Sequence, residues 1–274
     1  MDKAKYPPEK NLHYIDFVTP GYGWVGGPYS LFHTTNGGVE WKTLINKTAL
    51  DTLIEGFVFI DKSYGWMNIY EDNNNISKIY KTTDGGNNWD LQYTSPPLSY
   101  VEDIRFTDMN NGFLLLRNYY NYLIKTTDGG ATWHSHLIDT LDTSTLNKIF
   151  FLNSQTGWAA GEKLFTTTDG GINWTFLEDK YVGRDMRDIQ FINPDTGWYS
   201  DLNGVYKTTD GGQNWNNQLF EYGEYDASAI FFTDKDNGWF CRYITLYHTS
   251  DGGLTWKTQL NFDSLGIKDV YFTD

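Results

Sequence analysis

The sequence predicts an all-β fold: a β-propeller of four-stranded antiparallel blades, with six complete repeats plus the first strand of a seventh. Three observations predict it. A Gly-Gly turn motif recurs six times, a second motif keeps step with it, and aromatic residues reach 18% of 274 residues beside 27 glycines. Aromatic residues favour strands and glycines favour turns. No segment sustains the 3.6-residue apolar period of an amphipathic helix, so helices are expected to be nearly absent.

The first motif is Thr-Thr-Asp-Gly-Gly-x-x-Trp. Four copies are unchanged, one carries Asn36 in place of Asp, and one carries Ser250 in place of the second Thr. The closing tryptophans stand at positions 41, 89, 133, 174, 215 and 256, so their successive differences are 48, 44, 41, 41 and 41. A period near 40 residues with four short strands is typical of a propeller blade. The copies are Thr34–Trp41, Thr82–Trp89, Thr126–Trp133, Thr167–Trp174, Thr208–Trp215 and Thr249–Trp256.

The second motif is an apolar-x-Phe triplet followed by a turn and Gly-Trp. It precedes the first motif in every unit, and Phe113 replaces its Trp in the third. Two motifs that stay in register six times define one repeating structural unit. The copies are Ile15–Trp24, Phe57–Trp66, Ile104–Phe113, Ile149–Trp158, Ile189–Trp198 and Ile230–Trp239.

Each unit divides into four short strands, A to D, separated by turn residues. In the fifth unit the predicted strands are Asp188–Ile192, Gly197–Ser200, Gly204–Lys207 and Trp215–Phe220. Residues 1–11 form an N-terminal extension, and residues 12–274 form a single propeller domain. The segment Ile267–Asp274 repeats the beginning of a strand A. We therefore expect a chain truncated at its C-terminus, just after a seventh unit begins.

The Gly-Gly turn joins strands C and D, because paired glycines supply the positive φ angles of a tight reversal. The Asp carboxylate, or the Asn36 amide, is expected to accept backbone N–H bonds within the turn. The closing Trp is expected to bury its indole between this hairpin and the next blade. The predicted structural residues are Asn36, Trp41, Asp84, Trp89, Asp128, Trp133, Asp169, Trp174, Asp210, Trp215, Asp251 and Trp256.

Metal and cofactor chemistry finds little support in the sequence. The acidic turns at Asp61, Asp108, Asp234 and Asp236 lack the bidentate Glu of a calcium loop, so capping of turns is the favoured interpretation. The pair His134-x-His136 has no third ligand in register. No phosphate loop, dinucleotide fingerprint or serine nucleophile elbow occurs. We predict no cofactor and no metal.

Composition excludes two classes of partner. The formal charge of -14 argues against nucleic acid, whose phosphates require a surplus of Lys and Arg. No stretch approaches the roughly 18 apolar residues of a membrane-spanning helix. The single cysteine, Cys241, follows Trp239 and Phe240. It is expected to be a small buried side chain.

The first motif resembles the Asp-box, or bacterial neuraminidase repeat. Together with the apolar-x-Phe and Gly-Trp motif, it resembles the propeller family of the photosystem II stability and assembly factor, over nearly the whole chain from about Leu12. This resemblance implies an exported, non-enzymatic protein that engages other proteins, located in the periplasm or secreted to the cell surface. Sialidases and certain endoglucanases share the box and are hydrolases.

The enzyme alternatives can be compared with the residues present. Resemblance to sialidases would imply an arginine triad and an early Arg-Ile-Pro motif, and the latter is absent. A different glycoside hydrolase would need two carboxylates roughly 5 to 9.5 Å apart across a cleft. The candidates, expected to be solvated loop acids, are Glu102, Asp103, Asp185, Asp188, Glu224 and Asp226.

The D-to-A and B-to-C connections of a blade emerge opposite the box turns, and many tyrosines and four of the five arginines fall there. Tyr and Arg are enriched at recognition hot spots. We predict that a protein partner binds this face, with carbohydrate as the rival ligand because tyrosine rings stack on sugars. The tyrosines are Tyr29, Tyr70, Tyr93, Tyr100, Tyr119, Tyr120, Tyr122, Tyr181, Tyr199, Tyr222, Tyr225 and Tyr243. The predicted binding residues are Arg117, Tyr119, Tyr120, Tyr122, Arg184, Arg187, Tyr222, Tyr225, Arg242 and Tyr243.

Overall fold

The fold is a β-propeller built from six four-stranded antiparallel sheets. The computed structural model describes residues 11–46, 52–138, 145–177, 186–220, 227–261 and 266–272. In each sheet the strands lie in chain order, from A through D. Within these residues every regular element is a strand, and no helix is long and apolar enough to cross a membrane. The predicted fold class is confirmed.

The blades follow one another along the chain. In the fifth blade the strands agree with the predicted bounds to within one residue. The first blade contains β1 (Tyr14–Thr19), β2 (Tyr22–Gly27), β3 (Ser30–Thr34) and β4 (Lys42–Asn46), and the second β5 (Thr52–Phe59), β6 (Gly65–Glu71), β7 (Ile76–Thr82) and β8 (Asp90–Thr94). The third contains β9 (Tyr100–Phe106), β10 (Gly112–Arg117), β11 (Asn121–Thr126) and β12 (His134–Leu137), and the fourth β13 (Leu146–Phe151), β14 (Gly157–Gly161), β15 (Leu164–Thr167) and β16 (Thr175–Phe176). The fifth contains β17 (Asp188–Phe191), β18 (Gly197–Asp201), β19 (Gly204–Thr208) and β20 (Asn216–Phe220), and the sixth β21 (Ala227–Phe232), β22 (Gly238–Arg242), β23 (Thr245–Thr249) and β24 (Lys257–Asn261).

The chain divides into two compact units. The first holds the first two blades and most of the third, and the second holds Tyr119–Leu123 and the last three blades. Each unit has its own buried aromatic clusters, formed where consecutive sheets pack together. The assignment of residues 12–274 to one domain stays a prediction.

Within a blade, the second motif joins strands A and B. Gly65 lies opposite Phe59 in the antiparallel register, and a Cβ atom added to Gly65 would lie 2.4 Å from the Phe59 ring. Only glycine leaves room for that ring, so the Gly of Gly-Trp is required by the Phe of the apolar-x-Phe triplet. The same close approach of glycine and phenylalanine recurs at Gly23, Gly112, Gly157, Gly197 and Gly238.

Between consecutive blades, the strand-B tryptophan makes two contacts with the following blade. The Trp24 ring stacks on Phe59 at 3.5 Å between centroids, and its Nε1 donates to the carbonyl of Gly85, the first box glycine, at 3.1 Å. The indole therefore fixes both the first strand and the box turn of the next blade. The other instances are Trp66 with Phe106 and Gly129, Trp158 with Phe191 and Gly211, and Trp198 with Phe232 and Gly252.

The closing tryptophan of the box packs in the direction opposite to the one predicted. Trp89 contacts the cluster that contains Trp24 and Leu31 of the preceding blade, and Trp215 contacts the one that contains Trp158. The expectation that this indole reaches the next blade is wrong. The reason is that strand B carries its own tryptophan, which already points toward the next blade and fills that space.

The segment that follows the sixth blade differs from the predicted strand. Residues 266–272 make no strand pairing within the described part of the chain. Nevertheless Phe272 stacks on Trp239 at 3.8 Å, as the strand-A phenylalanines of four blades stack on the tryptophan of the preceding blade. The seventh-unit segment thus has the packing of a strand A without its hydrogen-bond ladder.

Candidate functional site

Each sheet has two ends with different chemistry. At one end, the box turn donates a backbone N–H to the turn between strands A and B of the same blade, as from Gly85 to Ser63 at 2.9 Å and from Gly252 to Asp236 at 2.8 Å. We call this the box end. The connections from B to C and from D to A emerge at the other, which we call the loop end.

The box turn uses its polar groups internally. The Thr82 hydroxyl donates to Asp84 Oδ1 at 2.9 Å and accepts the Gly86 N–H at 2.9 Å. Asp84 Oδ1 also accepts the Asn88 N–H at 2.8 Å. In the first blade Asn36 Oδ1 accepts the Glu40 N–H at 2.9 Å in the same way. An amide oxygen serves as well as a carboxylate because the turn requires an acceptor rather than a charge.

These bonds stabilise the charged carboxylates. Hydrogen bonds from the Thr132 hydroxyl and then from the Thr132 backbone N–H lower the pKa of Asp128 to about 2. The backbone N–H of Asn173 is the main cause that lowers the pKa of Asp169 to about 2. Such groups are held by the turn itself, which leaves them poorly suited to proton transfer near neutral pH.

The acidic turns between strands A and B are built similarly. Asp61 Oδ1 accepts the backbone N–H groups of Ser63 and Tyr64 at 2.7 Å, and Asp234 Oδ1 accepts those of Asp236 and Asn237 at 2.7 Å. Each carboxylate is thereby a local turn cap. In the part of the chain that the structure describes, no three His, Cys, Asp or Glu side chains group as metal ligands would.

The loop end exposes aromatic side chains. Tyr119 is 82% exposed, Tyr120 is 42% exposed and Tyr243 is 41% exposed, each in a connection from B to C. Tyr100, at the start of β9, is 40% exposed. Tyr122 is half-buried on β11. Exposed tyrosines offer large apolar area with a polar tip, which suits recognition of another molecule.

Arg117 anchors the loop end of the third blade. It lies opposite Tyr100 in the register of β9 and β10, and its Nε donates to Glu102 Oε1 at 2.5 Å. Glu55, on strand A of the preceding blade, adds a second carboxylate near Glu102. Desolvation and the Glu102 charge raise the pKa of Glu55, and a bond from Tyr14 opposes that rise. Glu55 is not among the residues predicted from the sequence, although its place on a strand A matches that of Glu102.

An aromatic pair from the second and third blades adjoins this ion pair in the first compact unit. The rings of Tyr70 and Tyr100 stack at 4.6 Å, and their hydroxyls lie 2.6 Å apart. Burial, and then the bond with Tyr100, raise the pKa of Tyr70. Leu98, just before Tyr100, is 63% exposed and has a φ of 60°. The structure therefore adds Leu98 to the accessible surface beside Tyr100, and no periodic signal in the sequence marks Leu98.

In the second compact unit, some of the predicted binding residues are accessible and others are buried. Arg187 and Arg242 are half-buried, and Tyr243 has a φ of 52° in the turn between β22 and β23. Tyr199 was placed among the loop-end tyrosines, but it is fully buried and stacks on Tyr206 at 4.6 Å. Its position in the middle of β18 puts it in the core between blades. Arg184, Tyr222 and Tyr225 lie outside the described residues.

The carboxylates proposed for hydrolysis are engaged elsewhere. Glu102 is paired with Arg117. Asp103 is buried and accepts the Ile104 N–H at 3.0 Å. Asp188 accepts the N–H of Ile189 at 2.9 Å and, from the next blade, that of Ile230 at 2.9 Å. All three lie on strands A with partners of their own, and they are not the solvated loop acids expected. Asp185, Glu224 and Asp226 lie outside the described residues.

Two comparisons find proteins that are similar in sequence to part of this chain. The family model for the photosynthesis system II assembly factor YCF48 matches residues 92–222. The photosystem II assembly lipoprotein Ycf48 of Synechococcus sp. (strain CC9902) is 35% identical over 123 residues, which cover 43% of this chain and 35% of that protein. The chain thus matches about a third of the length of this curated relative.

Solved structures share the fold. A structure of YCF48 bound to D1 peptide has a TM-score of 0.71 at 19% identity, covering 93% of this chain and 84% of that one. The GH74 enzyme of Niastella koreensis has a TM-score of 0.71 at 15% identity, covering 94% of this chain and 46% of that one. Identities this low show the fold alone. Part of the chain is thus similar in sequence to photosystem II assembly factors, and its six repeated sheets share the propeller fold of these solved structures.

Proposed function

We propose that this propeller is a non-enzymatic binding protein that docks a protein partner through its loop end. The observation that carries the proposal is the set of exposed tyrosines there, with Tyr119 at 82% exposure, two residues after the ion-paired Arg117. The box end, in contrast, uses its polar groups for its own turns. A surface of exposed aromatic and arginine side chains fits a protein segment better than a reaction centre.

A peptide partner agrees with the related proteins. One YCF48 structure contains a D1 peptide, and its propeller has the same fold as this chain. An extended peptide has unpaired backbone groups and side chains that tyrosine hydroxyls and Arg117 can bind. We therefore propose a protein segment as ligand, with a D1 peptide as the first probe. The chain's formal charge of -14 favours a segment with basic or neutral residues.

The test measures anisotropy of a fluorescent D1 peptide titrated with the wild-type protein and with the double variant Arg117→Ala, Tyr120→Ala. We expect the dissociation constant to rise about tenfold or more, which corresponds to about 1.4 kcal/mol. The matched control is Leu254→Ala at the box end, since Leu254 is 73% exposed and lies far along the blade from the loops. Both variants must retain the wild-type melting temperature.

Two results would overturn the proposal. Equal loss of binding in the loop variant and the Leu254 control would show that the loop end is not the site. Binding of a glycan on an array, lost in the Tyr119→Ala variant, would instead assign the surface to carbohydrate.

Glycoside hydrolysis is the remaining alternative, because the nearby Glu102 charge helps to raise the pKa of Glu55 and the GH74 enzymes share the fold. If the wild type releases reducing sugar from a polysaccharide and Glu55→Gln abolishes that release, the protein is a hydrolase and the binding proposal is wrong. We expect no release, because the Arg117 guanidinium holds Glu102.

We also propose an exported location, in the periplasm or at the cell surface. The support is the relative in Synechococcus, which is named a lipoprotein. Fractionation of the host cells, followed by detection of the full-length protein, tests this location. Recovery only in the cytoplasmic fraction would reject it.

A further inference from the structure

A stacked pair of tyrosines joins the second and third blades at the loop end. Tyr70, on β6, is buried, whereas Tyr100, at the start of β9, is partly exposed. Their rings stack at 4.6 Å between centroids, with an interplanar angle of 25°. One face of the Tyr100 ring is thus covered by a neighbouring ring, while a ligand can still reach Tyr100 from solvent. Aromatic rings that are accessible in this way can bind a cation.

The hydroxyl groups of this pair form a chain of hydrogen bonds that ends on Asn75. The Tyr70 hydroxyl lies 2.6 Å from that of Tyr100 and 2.9 Å from Asn75 Oδ1. Each hydroxyl carries one proton, and an amide oxygen only accepts. Both contacts are satisfied when Tyr100 donates to Tyr70 and Tyr70 donates to Asn75. The Tyr100 oxygen then keeps lone pairs, so it can accept a hydrogen bond from a ligand.

Two carboxylates near the pair add negative charge. The acids Glu71 and Glu102 are each paired with a basic side chain, but Glu55 and Asp72 have no Lys or Arg partner within the described residues. Both of these unpaired acids are exposed. After burial and the bond between the two hydroxyls, the charges of Asp72 and Glu55 help to raise the pKa of Tyr70. Uncompensated carboxylates and aromatic rings therefore lie together, which favours a positively charged ligand.

The connection that carries Tyr100 is fixed by buried serines. Ser95 Oγ accepts the Ser77 N–H at 2.9 Å and donates to the Ser99 carbonyl at 3.1 Å. Ser77 Oγ in turn accepts the Val101 N–H at 2.9 Å. All three serines are buried. The tyrosine is thus held from both sides of the chain, so a ligand would not have to order this connection on binding.

We propose that Tyr100, Glu55 and Asp72 bind the ammonium group of a lysine side chain in the segment that docks at the loop end. This inference rests on the proposed function and names one residue type that the segment contains. The ring, its hydroxyl and the two carboxylates offer a cation-π surface and separate acceptors for the three donors of an ammonium group. The exposed side chain of Leu98, two residues before Tyr100, gives the methylene stem an apolar contact.

The hydrogen bonding of Glu55 favours lysine over arginine. The Tyr14 hydroxyl already donates to the Glu55 carboxylate. A guanidinium binds best through two parallel bonds to both oxygens of one carboxylate, and this bond from Tyr14 competes with that arrangement. An ammonium group can instead take one acceptor from each of several groups. Glu55, Asp72 and Tyr100 supply acceptors of that kind.

The test is an NMR titration with Nα-acetyl-lysine N-methylamide, which carries a lysine side chain without terminal charges. The signals of the tyrosine rings are followed, and those of Tyr100 are assigned with Tyr100→Phe. We expect a saturable shift of the Tyr100 signals and affinity at least about fivefold above that of the uncharged Nε-acetyl derivative. Glu55→Gln should raise the dissociation constant about fivefold, since it removes a charge and keeps the shape.

The matched control is Asp90→Asn, which removes the same charge from the same blade as Glu55→Gln. Asp90 is an exposed residue at the start of β8, directly after the box turn. This variant should bind the lysine probe as the wild type does at constant ionic strength. Equal weakening by Asp90→Asn and Glu55→Gln would overturn the inference, because the net charge of the chain alone would then attract the probe.

Three further outcomes decide the inference. Equal affinity for the lysine probe and its Nε-acetyl derivative would overturn it, because the ammonium charge would play no part. Tighter binding of the corresponding arginine derivative would overturn the choice of lysine. Retained binding of the lysine probe by a protein that fails to bind the D1 peptide would reject the proposed function and leave this site in place. The lysine probe therefore tests the site independently of the peptide.

Discussion

Trp158 provides the sharpest test of how neighbouring blades hold together. Its indole is 1% exposed, stacks on Phe191 at 3.6 Å and donates to the Gly211 carbonyl at 3.0 Å. Trp158→Ala removes the ring and the donor together. Trp158→Phe removes the donor but keeps a ring, which is the arrangement that Phe113 provides in the third blade. The two variants therefore separate packing from hydrogen bonding at one position.

The expected losses follow from burial. Truncation of a fully buried tryptophan to alanine costs about 4 kcal/mol through lost transfer energy and the cavity that remains. Trp158→Phe should cost about 1 kcal/mol, since the Gly211 carbonyl is partly accessible and water can replace the lost donor. Trp239→Ala should cost about 2 kcal/mol, because Trp239 is only half-buried and the hydrophobic contribution scales with the area removed from water.

Guanidinium titration of the three variants, followed by tryptophan fluorescence and circular dichroism, gives the free energy of unfolding and its slope. The slopes should match that of the wild type if each substitution changes the stability of the folded state alone. Equal losses for Trp158→Phe and Trp158→Ala would refute the packing argument. They would assign the contact to the hydrogen bond instead.

Four further results are expected. Trp174→Ala should lower the unfolding midpoint more than Asp169→Ala, by about 3 against about 1 kcal/mol, in the same titration. Added calcium should leave both melting curves unchanged, and a rise of several degrees would contradict the capping interpretation. The folded-state pKa of Asp128 is about 2, below its ordinary 3.8, so its contribution to stability is present above about pH 4 and is lost toward pH 2. Between pH 4 and pH 2, the melting temperature of the Asp128→Asn variant should therefore fall less steeply than that of the wild type. Burial, with nearby carboxylates, raises the pKa of Cys241 to about 12, so mass spectrometry should find it unalkylated at pH 8 until the protein unfolds.

The fold was predictable because each repeat carries its own geometric constraints. The paired glycines mark the turn from C to D, and the Gly-Trp motif marks the glycine on which the strand-A phenylalanine lies. The direction in which the box tryptophan packs was not predictable in this way. Sequence spacing fixes which residues share a strand, but both tryptophans of a unit are equally apolar. Only their competition for the space between sheets decides which one faces the preceding blade.

The candidate site was predictable in part. Tyr119, Tyr120 and Tyr243 were predicted to be accessible because they lie in connections between strands, and all three are exposed. The same rule failed for Tyr199, which lies one residue after Trp198 within a central strand and is covered on both faces. Glu55 was missed because its closeness to Glu102 depends on how two neighbouring strands A approach each other. No periodicity within one strand reports that distance.

The structure also explains why the repeated motif and the proposed binding surface fall at opposite ends of the blades. The box end must satisfy its own turn, accept the indole of the preceding blade and bond the turn between A and B, so few substitutions are compatible with it. The connections at the loop end differ in length, from the two-residue turn at Tyr243 to longer links between blades. A repeat can therefore keep its box while its loops change, which lets one propeller framework carry different recognition surfaces. For this reason the proposed partner is tested at Arg117 and Tyr120 rather than at the motif that identifies the fold.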